Sequence, residues 1–460
     1  MPAAGRRAAA VTVVAVAVIA VGAGPAAAIA PPIVDPQATP HDSTPAPEQP
    51  MQKRSVCTPL RLAPKSDPAS VPPAQAFMRL PQLWKVAGRG SGVTVAMIDT
   101  GVNKNSRFPH LSAGGDYVAD GDGLADCDAH GSIVASIINA APSSSDGVVG
   151  IAPDANLISI RQSSGAYQPV NGDSSDSRAG DVASLARAVV HAAARGAKVI
   201  NISVVACTPV NKPVDQRALG AAVRWASVVK DALVIAAAGN IDENNCAANP
   251  DIDPTTPKDA RNWGGVSTVS TPSWFSDYVL SVGTVDTKGV PATKVTAAGP
   301  WVSVAAPATP NTVAAVGASG HVVNEAMGSD QKWQPLFGTS FSAAEVTGLA
   351  AVLRSRFPSL TAHQIALRIT QTAHNPAGGV DNEIGYGVID PIAAATFDVP
   401  TGDPKPVEHL SRPLVLPPPP PPPDRRPFYT AVIGTAVVAG VGLAAGIAVS
   451  ILNRRRKGRR

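Results

Sequence analysis

The sequence predicts an α/β domain in which helices flank a mostly parallel central sheet, with one further helix near the carboxyl end to cross a membrane. Three observations lead there. Between about 92 and 396, short apolar runs rich in β-branched residues alternate with segments of helical period. The run "FYTAVIGTAVVAGVGLAAGIAVSIL" (428–452) carries no charge. The chain opens with "MPAAGRR", a short apolar stretch and then small residues, which is the pattern of a secretory leader.

The elements follow in chain order. Residues 1–30 read as the leader, and cleavage after Ala28 or after Ala30 fits equally well. Residues 31–75 are rich in proline and polar residues without an apolar period, as in an extended arm, and Cys57 favours an arm pinned to the body over a mobile tail. A folded domain is expected over 76–400. In it, "GVTVAMID" (92–99), "NLISIRQ" (156–162), "KVINISV" (198–204) and "ALVIAAAG" (232–239) are unbroken apolar runs that suit strands buried on both faces. "YVLSVGTVD" and "WVSVAAP" read as further strands, and "HGSIVASIINA" and "VASLARAVVHAAARGA" have helical spacing. The proline run within 401–427 makes a stiff spacer, about 3 Å per residue. Residues 428–452 are long enough to span a bilayer as a helix. The basic tail 453–460 belongs in the cytoplasm by the positive-inside tendency, which leaves the body outside.

Composition excludes some functions. The 460 residues carry a formal charge of +4, of which the last seven supply six positive charges, leaving −2 for everything before them. A near-neutral body lacks the clustered basic face that nucleic acid requires. Four cysteines, Cys57, Cys127, Cys207 and Cys246, suit an oxidising exterior and allow three pairings; none has the CxxC spacing of a zinc site. The loop 114–130 carries Asp116, Asp120, Asp122, Asp126 and Asp128 but lacks the closing glutamate of an EF-hand, so it reads as a solvated glycine-rich loop. No metal or cofactor is expected.

In an open parallel sheet the reacting groups gather at the carboxyl ends of the strands. Asp99 closes one strand, Asn240 follows another, and His130 and Ser340 each head a helical segment. Acyl transfer to water needs these types: a hydroxyl nucleophile, an imidazole to take its proton, a carboxylate to fix the imidazole's tautomer, and a donor for the developing oxyanion. A helix start adds unpaired N–H groups and a positive dipole end. Each residue alone reads more simply as a cap or turn; the order Asp, His, Asn, Ser is harder to dismiss.

The stretches "VAMIDTGV", "DAHGSIVASII", "VIAAAGN" and "FGTSFSAAEVTG" resemble the aspartate, histidine, oxyanion-asparagine and serine motifs of subtilisin-like serine proteases, over about 92–396. The leader, proline arm, "DCDAHG", proline linker and carboxyl-terminal anchor narrow the resemblance to the mycosins, membrane-anchored proteases of type VII secretion systems. The resemblance implies a subtilisin-like fold, a triad of Asp99, His130 and Ser340, and Asn240 as oxyanion donor. It also implies protein substrates and the type VII secretion membrane complex as partner. Ser342 matches no catalytic position. Within the histidine and serine motifs the chain departs from the family in two places: His-Gly-Ser replaces His-Gly-Thr, and Ala344 stands where proline is usual, which loosens a first helical turn without removing a reacting group.

By the same resemblance Ser203, Val204 and Val205 form the strand edge along which substrate backbone pairs. Val205 replaces a usual glycine there and implies a narrow pocket with weak action on generic peptides. If the strands ending at Ser203 and Asn240 are neighbours, Cys207–Cys246 is the first pair and Cys57–Cys127 the second; mycosins share this arrangement. The arm is too irregular for a prodomain and suits a stabilising wrap. The expected activity is serine endopeptidase. A rival reading makes the chain a structural stabiliser of the secretion complex with catalysis dispensable.

Overall fold

The computed structural model describes residues 29–171, 179–243, 245–411 and 424–458. All but the last two residues of the expected leader, residues 412–423 of the expected linker, and Arg459 and Arg460 of the basic tail lie outside them. The chain forms two units, one to Ser411 and one from Arg412.

In the first unit seven strands make one sheet: β1 (Thr94–Asp99), β2 (Leu111–Asp116), β3 (Asn156–Arg161), β4 (Val199–Ile202), β5 (Leu233–Ala237), β6 (Val279–Val285) and β7 (Val302–Pro307). Their spatial order is β7-β6-β5-β4-β1-β3-β2, and every pairing is parallel. Helices α1 (His130–Asn139), α2 (Val182–Ala194), α3 (Arg217–Arg224) and α4 (Thr339–Arg356) cover it. The apolar runs are unbroken because alternate residues enter two different cores. Val95 and Met97 pack with Ile133 of α1 and Leu349 of α4. Ala96 and Ile98 pack with Val189 of α2 and Val223 of α3. Every residue of α4 from Thr339 to Arg354 is buried, as suits a helix with no polar face. The strand order reverses between β1 and β4, and in open sheets of this kind ligands bind beyond the carboxyl ends of the strands at such a point.

The segment before the sheet lies on the body. Met51–Lys53 pairs with Tyr167–Pro169 and Leu60–Arg61 with Glu325–Met327, both antiparallel, and Cys57 is disulfide-bonded to Cys127. Glu48 and Asp42 reach Arg187 and His191 of α2. The body also continues past residue 400, where proline content places the start of the linker. Glu408 pairs with Arg224 at 2.6 Å, His409 with Asp277 at 2.7 Å, and the Val34 amide donates to the His409 carbonyl at 2.8 Å. Prolines 404 and 406 give this stretch a linker's composition, but the residues beside them have partners on the body.

In the second unit, α5 (Arg426–Lys457) is long and apolar enough to cross a membrane, with a mean hydropathy of 2.2 in its most apolar window. It runs past Leu452 and takes Asn453 to Lys457 of the basic tail into the same helix.

Candidate active site

Asp99 ends β1 fully buried. Its Oδ1 accepts from the Thr100 amide and lies 2.7 Å from His130 Nδ1. The approach of α1 explains the His-Gly dipeptide: a Cβ on Gly131 would lie 2.1 Å from the Gly101 carbonyl oxygen. Gly101 itself has φ +99°, and a Cβ there would meet the Ala125 carbonyl at 2.3 Å. With Nδ1 facing the carboxylate, the imidazole presents Nε2 for proton uptake. Burial pushes its pKa down, but the charge and hydrogen bond of Asp99, with smaller contributions from Asp126 and Glu243, carry it up to about 9. The ring is stacked on Phe341, centroids 5.7 Å apart, which sets it beside the start of α4.

The two serines of "TSFS" face different ways. Ser342 Oγ donates to the Ala306 carbonyl at 2.8 Å and lies 3.0 Å from Thr284 Oγ1, buried against the sheet. Ser340 is the second residue of α4, and its Oγ donates to the Ser203 carbonyl at 3.0 Å. The Ser203 hydroxyl donates in turn to the Ser340 carbonyl at 3.2 Å.

Asn240 follows β5. Its Oδ1 accepts from the amide and hydroxyl of Thr339 at 2.9 and 3.0 Å, and its Nδ2 donates to Glu243 Oε2 at 2.9 Å. The backbone donor fixes which way the amide points, with Oδ1 on Thr339 and the amino group on Glu243. Gly338, with φ +133°, allows this contact, since a Cβ there would lie 3.0 Å from Asn240 Nδ2.

Ser203, Val204 and Val205 are not part of a strand. β4 is flanked by β1 and β5 and its ladder ends at Ile202, so the three residues form a link to the strand Ala206–Pro209, which turns away to pair with Thr268–Thr271. Ser203 is buried, Val204 and Val205 half-buried. Cys207 and Cys246 are disulfide-bonded and join this link to the loop after Asn240. The acidic loop is solvated only in part. Asp120 and Asp122 are exposed, whereas Asp116 is buried against Arg161 at 2.5 Å and Asp126 is buried under the start of α1. Thr100, Asp126 and Glu243 were not among the expected site residues. Thr100 sits inside the aspartate motif and Asp126 opens "DCDAHG", two residues before the quoted histidine motif; nothing in the spacing of "GNIDE" singles out Glu243.

Residues 90–387 match the subtilase family. Over 456 residues the chain is 45% identical to Mycosin-1 of Mycolicibacterium smegmatis, covering 97% of this chain and 98% of the relative. Over 448 residues it is 47% identical to Mycosin-1 of Mycobacterium tuberculosis, covering 95% and 97%. The chain belongs to the mycosins of the subtilase family. Among solved structures, this mycosin is similar to the crystal structure of MycP1 from the ESX-1 type VII secretion system, at 46% identity and a TM-score of 0.78, over 83% of this chain and 100% of the other. It is equally similar to a chain of the intact ESX-5 inner membrane complex, at 45% identity and 0.77, over 92% and 100%. The mycosin is thus a subtilisin-like serine protease in fold and class.

Proposed function

We propose that Asp99, His130 and Ser340 are the catalytic triad of a membrane-tethered endopeptidase that cleaves proteins handled by a type VII secretion system. The 2.7 Å contact between Asp99 Oδ1 and His130 Nδ1, at the crevice where Ser340 heads α4, carries this reading. On substrate binding the Ser340 hydroxyl leaves the Ser203 carbonyl, gives its proton to His130 Nε2, and attacks the scissile carbonyl carbon. The resulting oxyanion takes the Asn240 amino group and an amide at the start of α4. His130 then passes the proton to the leaving amine, and water, activated by the same imidazole, releases the acyl group. The Asp99 charge stabilises the imidazolium throughout. Residues 203–205 pair with substrate backbone, and Val205 narrows the entry. The basic tail points the carboxyl end into the cytoplasm and leaves the protease body outside.

Labelling of the full chain with a fluorophosphonate tests the triad, with retention of label by Ser340→Ala as the result that rejects it. A second reading is favoured by the match to the ESX-5 membrane complex over 92% of this chain: the body stabilises such a complex and cutting is dispensable. Secretion and substrate processing that both survive Ser340→Ala select that reading.

A further inference from the structure

Asp126 touches neither Ser340 nor Asn240, yet its carboxylate ties the two halves of the Asp99–His130 pair together. Its Oδ1 accepts from the Thr100 hydroxyl at 2.9 Å and from the Ala129 amide at 2.8 Å, and its Oδ2 accepts from the Ser132 amide at 2.8 Å. Thr100 immediately follows Asp99; Ala129 and Ser132 bracket His130. The Thr100 hydroxyl in turn accepts from the Gly131 amide at 2.9 Å. The backbone is locked as well: the Asp126 amide donates to Asn103 Oδ1 and its carbonyl accepts from Asn103 Nδ2. Helix α1 starts at His130 with no side-chain cap from its own N-cap residue, Ala129, which has φ +65°. Asp126 supplies that cap from outside the helix, where a carboxylate also favours the positive dipole end.

We propose that Asp126 is a positioning residue for the catalytic base, holding the end of β1 and the start of α1 in the register that sets His130 against Asp99. It deepens the triad reading above and rests on it. The adjoining Cys57–Cys127 disulfide joins the neighbouring residue to the amino-terminal arm, so the arm is anchored beside this brace.

The charged and titratable groups facing Asp126 are Asp99 from β1 and His130 from α1, while Asp128 of its own loop turns to the Ser164 hydroxyl and the Gly165 amide. Burial and the nearby Asp99 charge push the Asp126 carboxyl up to about 6, against hydrogen bonds from Ser132 and Thr100 that pull it down. Above that pH it is charged and helps hold the imidazole protonated. Removing the charge therefore lowers the His130 pKa, while removing the hydrogen bonds loosens the ring's placement.

The test uses the full chain in detergent micelles and compares Asp126→Asn with Thr100→Val, which deletes one arm of the brace and keeps the buried carboxylate. The second-order rate of fluorophosphonate labelling is followed against pH, and the His130 ring is titrated by NMR, which needs no activity. Asp126→Asn is expected to move the acid limb of labelling and the His130 titration to lower pH, with a plateau rate about 10- to 100-fold lower per folded molecule. Thr100→Val is expected to lower the plateau with little movement of the limb. If both variants melt at lower temperature but keep the wild-type titration and the wild-type rate per folded molecule, Asp126 is only structural and the proposal is overturned. If Asp126→Asn does not fold, the Thr100→Val plateau decides. Absence of labelling in the unaltered chain rejects the triad reading itself, and the NMR titration still reports on the brace.

Discussion

The amino group of Asn240 is held by the carboxylate of Glu243, Nδ2 to Oε2 at 2.9 Å. The donor proposed for the oxyanion therefore already holds a negative oxygen, and the Ser340 hydroxyl rests on the Ser203 carbonyl. Glu243 takes one of the two Nδ2 hydrogens and so competes with a substrate carbonyl for the amino group.

Removing Glu243 should therefore speed the acylation step. Glu243→Ala is expected to label with fluorophosphonate several-fold faster than wild type. Asn240→Ala should label about 100- to 1,000-fold more slowly, the usual loss for one oxyanion donor. Equal rates for Glu243→Ala and wild type would show that the contact does not restrain the site.

The imidazole dictates a pH response of known sign. With the His130 pKa carried up to about 9 by Asp99, the imidazole is protonated at neutral pH, and on the proposed triad labelling should rise steadily toward that value. The same shift is a stability term. The folded value lies above the unfolded one of about 6.5, so the contribution is fully present below that pH and is lost as pH rises through about 9. Melting temperatures of wild type and His130→Ala, measured from pH 6 to 10, should converge at the alkaline end.

Glu345 is a buried acid in α4, the helix that Ser340 helps to open. It is 3% exposed, its Oε2 has no hydrogen-bond partner among the described residues, and it faces a small cavity lined by Pro72, Ala74, Gln75, Val148, Ile151 and Val313. Burial alone raises its pKa well above the usual carboxyl range. Its protonated form is favoured by folding, so stability is greatest below the unfolded value near 4.3 and falls as pH climbs from there. Glu345→Leu removes an unsatisfied polar group at similar volume and is expected to add about 1–3 kcal/mol, read as a higher melting temperature with a weaker pH slope.

The arm should stabilise without inhibiting. Cys57 and Cys127 are 70 residues apart, a loop whose cross-link is worth at most about 4 kcal/mol by chain entropy. Cys57→Ser with Cys127→Ser is expected to lower the melting temperature by several degrees. Activation on deletion of residues 31–75, instead of destabilisation, would mark the arm as an inhibitor.

Val205 offers a specificity test. Val205→Gly should raise cleavage of casein and of peptides with large P1 side chains, with little effect on small ester substrates. Wild-type cleavage of casein at ordinary subtilisin rates would remove the basis for a narrow entry.

Much of the fold was legible because burial on both faces leaves a mark that survives without neighbours. β1, β3, β4 and β5 are short runs that give alternate residues to two cores, and α4 is buried on every face from Thr339 to Arg354. The limits of elements were less legible where local composition and tertiary contact disagree. Residues 404–411 read as linker by their prolines, but Glu408 and His409 find Arg224 and Asp277. Ser203–Val205 form a strand edge by the family resemblance, but a strand ends where its ladder partners end.

By itself the sequence determined which chemistry is available: an aspartate closing one apolar run, a histidine and a serine opening two helices, an asparagine between them, and an uncharged segment of 25 residues near the end. Only the tertiary structure decided which groups meet. It turned Ser342 into the sheet and Ser340 to the Ser203 carbonyl, laid Glu243 on Asn240, and placed Asp126 between Thr100 and Ser132. Residue types and local periodicity are written along the chain, whereas hydrogen bonds depend on tenths of an ångström between residues that folding alone brings together.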